Sequence, residues 1–150
     1  MQTKQGFELV KEVLATADAF ARESQRLFRP HGLTAVQFNV LNVLAGQSRG
    51  LSQRELSDTL VVDRSNVTGL IDRLTKSGWV RRAADPADRR IHRIELTPAG
   101  RRVWQKVQPK FLEVVGQVTA EIDERTARTA LVALKHLQAG AVEWRLPGAE

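Results

Sequence analysis

Residues 51–96 read LSQRELSDTLVVDRSNVTGLIDRLTKSGWVRRAADPADRRIHRIEL, and the changes of pattern within them decide the fold. Ser52, with Glu55 three residues on, is a capping box that opens a short helix through Leu56 and Leu60. Val61, Val62 and Asp63 do not continue that helix. A second helix follows, with Val67, Leu70, Ile71 and Leu74 at steps of three and four, and Gly78 ends it. A short helix, a tight turn and an amphipathic helix within about 25 residues predict a helix-turn-helix. The period then drops from about four to two. Trp79 to Ala83 predicts a strand, Asp85-Pro86-Ala87-Asp88 a turn, and Ile91 to Leu96 the returning strand. On that return, His92, Ile94 and Leu96 share one face, while Ile91, Arg93 and Glu95 share the other. A hairpin directly after a helix-turn-helix is a wing, and this one would carry Arg89 and Arg90 at its tip.

Outward from this stretch, the chain reads as helix on both sides. Upstream, Phe7, Val10, Leu14, Ala17, Ala21, Ser24 and Leu27 form one stripe, until Pro30-His31-Gly32 breaks it. Thr34 with Gln37 is another capping box, starting a helix through Phe38, Leu41, Val43 and Leu44 that closes between Gly46 and Gly50. Downstream, Thr97-Pro98 supplies an N-cap and a proline at the first helical position. The helical pattern then runs through Val103, Val107, Phe111, Val115, Val118 and Ile122, with a kink expected at Pro109. It resumes through Ala127, Leu131, Leu134, Gln138, Ala141 and Trp144. The expected fold class is mainly α with a small β-hairpin wing. A winged helix-turn-helix over 33–100 lies between an N-terminal dimerisation helix, 1–32, and C-terminal dimerisation helices, 101–146, with a short tail at 147–150. The terminal helices carry more apolar face than a small winged unit readily covers, which favours a homodimer over an intramolecular bundle.

Composition narrows the chemistry. The chain has 150 residues, 23 Lys plus Arg against 17 Asp plus Glu, a net charge of +6 and no cysteine. Disulfide frameworks, cysteine metal sites and thiol chemistry are therefore excluded. His31, His92 and His136 are scattered, so no metal site is expected and no cofactor is called for. No apolar run approaches the ~20 residues of a membrane span, and the first residues do not resemble a secretory signal, so a cytoplasmic location is expected. Nucleophile-elbow and phosphate-loop patterns are absent, so no catalytic residues are assigned and an enzyme is not expected.

The positive charge is concentrated. Arg81, Arg82, Arg89, Arg90 and Arg93 fall within 13 residues, opposed by Asp85 and Asp88. On the second helix of the motif, Arg64, Ser65, Asn66, Thr68 and Arg73 lie away from the apolar stripe. These side chains suit base edges and phosphates, since Arg pairs with guanine, Asn with adenine, and hydroxyls with either. A solvated helix face is the plainer reading, but the position between a helix-turn-helix and an arginine-tipped hairpin favours DNA. Guanidinium groups on a thin hairpin suit a narrow minor groove. Asp88 either orients Arg90 or serves the turn alone. Arg81, Arg82 and Arg93 are candidates for phosphate contacts. Gly69 either permits close backbone approach or relieves packing.

Together these residues resemble the MarR family of winged-helix regulators. The matching text is Leu33-Thr34-Ala35-Val36-Gln37-Phe38, Leu51-Ser52-Gln53-Arg54-Glu55-Leu56, and the run from Asp63 to Leu74. It continues with Gly78-Trp79-Val80-Arg81-Arg82, Asp85-Pro86-Ala87-Asp88-Arg89-Arg90 and Leu96-Thr97-Pro98-Ala99-Gly100. The resemblance implies a homodimer on a palindromic double-stranded DNA operator, with the recognition helix in the major groove and the wing in the minor groove. It implies recognition-helix roles for Ser65, Asn66, Thr68 and Arg73, a minor-groove role for Arg90, and an orienting role for Asp88. It further implies a repressor released by a small aromatic or carboxylated ligand bound between the winged unit and the dimer region. Phe28, His31, Phe38 and Trp104 are candidates for lining that pocket, with core or surface positions as the alternative. A ligand-independent architectural DNA-binding protein is the rival function.

Overall fold

The computed structural model describes residues 2–60, 64–85, 88 and 90–143, with backbone alone for 2, 64, 65 and 142. In chain order the elements are α1 (Gln2–Phe28), a 3-10 turn (Arg29–His31), α2 (Ala35–Ala45), β1 (Leu51–Ser52) and α3 (Gln53–Thr59). Then come α4 (Arg64–Lys76), β2 (Val80–Ala84), β3 (His92–Leu96), α5 (Pro98–Val118) and α6 (Glu124–Glu143). The chain forms two compact units, 1–111 and 112–150. The first joins α1 to the winged motif, because Phe28 at the end of α1 is buried in the same core as Leu41, Leu56 and Ile71. The tail at 147–150, Trp144 and the linker Val61 to Asp63 lie outside the described residues.

Both capping boxes form. Thr34 Oγ1 accepts from the Gln37 amide at 3.2 Å, and Gln37 Oε1 accepts from the Thr34 amide at 2.9 Å. Ser52 and Glu55 make the same reciprocal pair, at 3.2 Å and 2.7 Å. Each box satisfies two amides that a helix start otherwise leaves without partners. The four stripe residues of α4, Val67, Leu70, Ile71 and Leu74, are all buried. After α4 the chain turns at Gly78, whose φ of 71° favours a residue without Cβ.

The sheet has three antiparallel strands in the order β1-β3-β2. The hairpin pairs Val80 with Leu96 and Ala84 with His92. The strands begin one residue later than the alternation predicts, and the first also ends one later. The Trp79 carbonyl instead accepts from the Thr97 amide at 3.0 Å, closing the base of the wing. The third strand, β1, is a structural addition: Leu51 pairs with Ile94 and Ser52 with Arg93. Two residues carry no readable period, so pairing alone makes this strand.

Thr97 caps α5 by accepting from the Gly100 amide at 3.0 Å, while its hydroxyl also lies 2.6 Å from the Gly78 carbonyl oxygen. A Cβ on Gly100 would collide with the Trp79 carbonyl, so this glycine is what lets α5 start hard against the wing. α5 runs through Pro109 as one helix. It stops at Val118, short of the expected Ile122, and a separate N-cap starts the next helix: Asp123 Oδ1 accepts from the Thr126 amide at 2.7 Å. That bond, then one from the Thr126 hydroxyl and one from the Arg125 amide, hold the Asp123 carboxyl below its ordinary range.

Candidate nucleic-acid interface

The short α3 packs beside α4, and one side-chain bond spans them on the solvent side: Gln53 Nε2 donates to Thr68 Oγ1 at 2.6 Å. With its inner face fixed in the core, α4 presents Asn66, Thr68 and Arg73 to solvent. The side chains of Arg64 and Ser65 lie outside the described residues, although their positions fall on the first turn of α4. Gly69 lies on the outward side, one turn before Arg73. A Cβ there would meet only Arg73 Nη1 among the described residues, at an ordinary 3.8 Å. Packing among the described residues therefore does not require glycine at 69, although glycine inside a helix costs about 1 kcal/mol relative to alanine.

At the wing, the Asp85 amide donates to the Ile91 carbonyl at 2.8 Å, and the Ile91 amide to the Asp88 carbonyl at 3.0 Å. Asp88 Oδ1 accepts from the backbone N–H of Arg90 at 3.0 Å. This is turn chemistry: the carboxylate fixes the backbone from which Arg90 projects. Arg90 is exposed, and Arg89 lies outside the described residues.

The three strand arginines have different surroundings. Arg81 Nη2 pairs with Glu95 Oε2 across the hairpin at 2.7 Å. Arg82 Nη2 pairs with Asp72 Oδ1 at 2.8 Å and ties the wing to α4. Both guanidinium groups remain open to solvent. Arg93, the third candidate for a phosphate contact, is more enclosed than the other two. Its side chain is 19% exposed, and it pairs through Nε with the buried Asp85. Its Nη1 lies 3.6 Å from Glu55 Oε2 and donates to the Gly50 carbonyl at 3.4 Å.

Arg93 is thus a hub joining the start of α3, the β1 edge and the wing turn. The hydrogen bond to Asp85 raises the Arg93 pKa further. Hydrogen bonds from the Ser52 amide and hydroxyl, followed by the Arg93 charge, hold the Glu55 carboxyl below its ordinary range. Sequence reading took Glu55 as a cap and Asp85 as a turn residue, and missed that both serve the same arginine. The faint signal was the return strand itself, where Arg93 shares a face with Glu95 rather than with Ile94. A shallow cleft of about 610 Å³ beside this hub is lined by Ser52, Gln53, Arg82, Ile91, His92 and Ile94.

The four candidates for a ligand pocket divide. Phe28 and Phe38 are buried and stacked, with ring centroids 4.8 Å apart, and Phe111 packs on Phe38 at 5.1 Å. They are core residues, the alternative that sequence left open. His31 is half-buried, and Trp104 Nε1 donates to Asn42 Oδ1 at 3.0 Å, joining α5 to α2.

A helix-turn-helix with a sheet-based wing on one core defines a winged-helix DNA-binding protein. Residues 31–91 match the profile of the MarR family. The transcriptional regulator TtmR of Methylorubrum extorquens is 38% identical over 146 residues, which span 95% of this chain and 73% of that protein. Among solved structures, the MarR-family regulator Sco3205 from Streptomyces coelicolor, in complex with DNA, is 26% identical with a TM-score of 0.76. The match covers 95% of this chain and 91% of Sco3205. CouR from Rhodococcus jostii RHA1, bound to p-coumaroyl-CoA, is also 26% identical, with a TM-score of 0.74 and coverage of 95% and 94%. The chain belongs to the MarR family and is a DNA-binding transcription regulator rather than an enzyme.

Proposed function

We propose that this regulator binds a palindromic operator as a homodimer, represses from it, and is released by a small aromatic or carboxylated ligand. The observation that carries the reading is the division of α4, with one face fully buried and the other displaying Asn66, Thr68 and Arg73, together with an exposed Arg90 on the wing. In this reading Arg64, Ser65, Asn66, Thr68 and Arg73 enter the major groove, and Arg89 and Arg90 enter the minor groove. Asp88 shapes the tip. Arg81 and Arg82 neutralise phosphates, while Arg93 holds the wing at the angle the two-groove contact needs. The segments 1–32 and 101–146 supply the dimer contacts.

The DNA complex of Sco3205 supports the duplex as partner, and the p-coumaroyl-CoA complex of CouR supports an aromatic acyl effector class. Trp104 and His31 remain the candidates for meeting such a ligand. Among the described residues no helix is long and apolar enough to cross a membrane, and a cytoplasmic site of action fits this role.

Selection of bound duplexes from a random pool tests the proposal. The expected product is an inverted repeat with half-sites about 10 base pairs, one helical turn, apart. Enrichment of a single unrepeated site, or of nothing, would overturn it. Addition of aromatic carboxylates or their thioesters to the selected complex is expected to release the DNA. Indifference to that whole class would overturn the effector assignment.

A further inference from the structure

The geometry points to Gly69 as the place where the backbone of α4 itself lies against the duplex, making it a position that sets how deeply the helix seats. The inference rests on the DNA-recognition reading above and deepens it. Glycine is among the poorest residues for a helix interior, so its presence needs a cause. Conformation is not the cause, since the positive-φ glycines of the described chain are Gly32, Gly50 and Gly78. Among the described residues internal crowding is not the cause either. At Gly100 the chain explains its own glycine, because a Cβ would strike the Trp79 carbonyl. At Gly69 a Cβ would have room, with the Arg73 guanidinium in ordinary contact. Gly6, Gly116 and Gly140 have comparable room, but they belong to α1, α5 and α6, outside the helix-turn-helix.

Position adds the second half. Gly69 is three residues from Asn66 and from Asp72, and four from Ser65 and from Arg73, in the middle of the face opposite the buried stripe of α4. A helix with its side chains is about 10–12 Å across, and the major groove is about 12 Å wide. Such a helix fills the groove, so one missing side chain at the centre of its leading face lets the axis sink further. The flanking Asn66 and Arg73 then reach base edges that a shallower helix would leave to water. Arg73 gains most, because its guanidinium folds back towards Gly69.

The test uses the full-length protein, the duplex recovered by the unmodified chain from the random pool, and Gly69→Ala and Gly69→Leu variants. Both substitutions favour helix, so both variants are expected to melt about 2–4 °C higher than the parent. Operator affinity by fluorescence anisotropy is expected to fall about tenfold for Gly69→Ala, or about 1.4 kcal/mol, and further for Gly69→Leu. A stabilised leucine variant that binds as tightly as the parent overturns the inference and leaves the DNA-recognition reading standing. Recovery of no duplex by the parent overturns that reading, and the inference with it.

Discussion

In the winged unit Val67, Ile71, Leu74 and Ile94 are fully buried, whereas Phe7 on α1 is 67% exposed and Leu131 on α6 is 57% exposed. Leu14, Val118 and Leu134 are likewise open. The same residue types at the same helical spacing thus meet opposite fates in two regions of one chain. The winged unit completes its own core, since helix, hairpin and the ends of α1 and α5 close on each other. The terminal helices present stripes as apolar as a core face, and a second copy of the chain is the partner proposed for them. In that proposal recognition and assembly are separable, which makes the contrast open to attack.

The largest expected effect lies in the self-contained core. Leu74→Ala is expected to cost about 2–5 kcal/mol in urea denaturation, because it removes buried methyl groups and leaves a cavity. A cost no greater than that of a surface substitution would break the contrast at its first half. Its second half predicts the reverse for Leu14→Asp and Leu131→Asp. Each is expected to weaken self-association by about 2–4 kcal/mol in sedimentation equilibrium while the winged unit stays folded. Unaltered association in both variants would leave the terminal stripes without their proposed partner.

Wing and recognition helix come next. Arg90→Ala is expected to weaken operator binding by about 1–3 kcal/mol with the dimer intact, and an unchanged gel shift would remove the wing from the interface. Asn66→Ala, on a similar scale, is expected to relax discrimination at particular bases. An equal loss on every sequence would reassign it to the phosphate backbone.

The smallest effect concerns the hub. Glu55 is held below the ordinary carboxylate range, so its ionised form favours the folded state. That contribution is present above the unfolded pKa and is lost as the pH falls through the lowered folded value. The stability advantage of the parent over Glu55→Gln is therefore expected at neutral pH and should vanish in acid. An advantage that persists undiminished in acid would show that the charge has no part in the cap.

Much of this was legible in the residue order. Ser52 and Glu55, Thr34 and Gln37, and Thr97 with Pro98 announced three helix starts, because a cap needs only local side chains to meet local amides. The α4 stripe was equally plain, since four apolar residues at helical spacing can bury only one face. Legibility failed where partners are distant in sequence. β1 was invisible because two residues become a strand only when β3 lies beside them. The break was expected after Ile122 rather than Val118 because Val115, Val118 and Ile122 keep helical spacing, while the Asp123 cap that restarts the helix was passed over.

By itself, then, the sequence determined the helices other than the break after α5, the hairpin, the family resemblance and the polar face of the recognition helix, all of which rest on contacts between near neighbours or on spacing. Only the tertiary structure decided what surrounds each arginine. Arg81, Arg82 and Arg93 look alike in the chain, yet the first two keep open guanidinium groups, while Arg93 turns inward to Asp85 and Glu55. A guanidinium takes its role from the carboxylates and carbonyls that folding brings within reach, and residues as far apart as Gly50 and Arg93 meet only when β1 closes on β3.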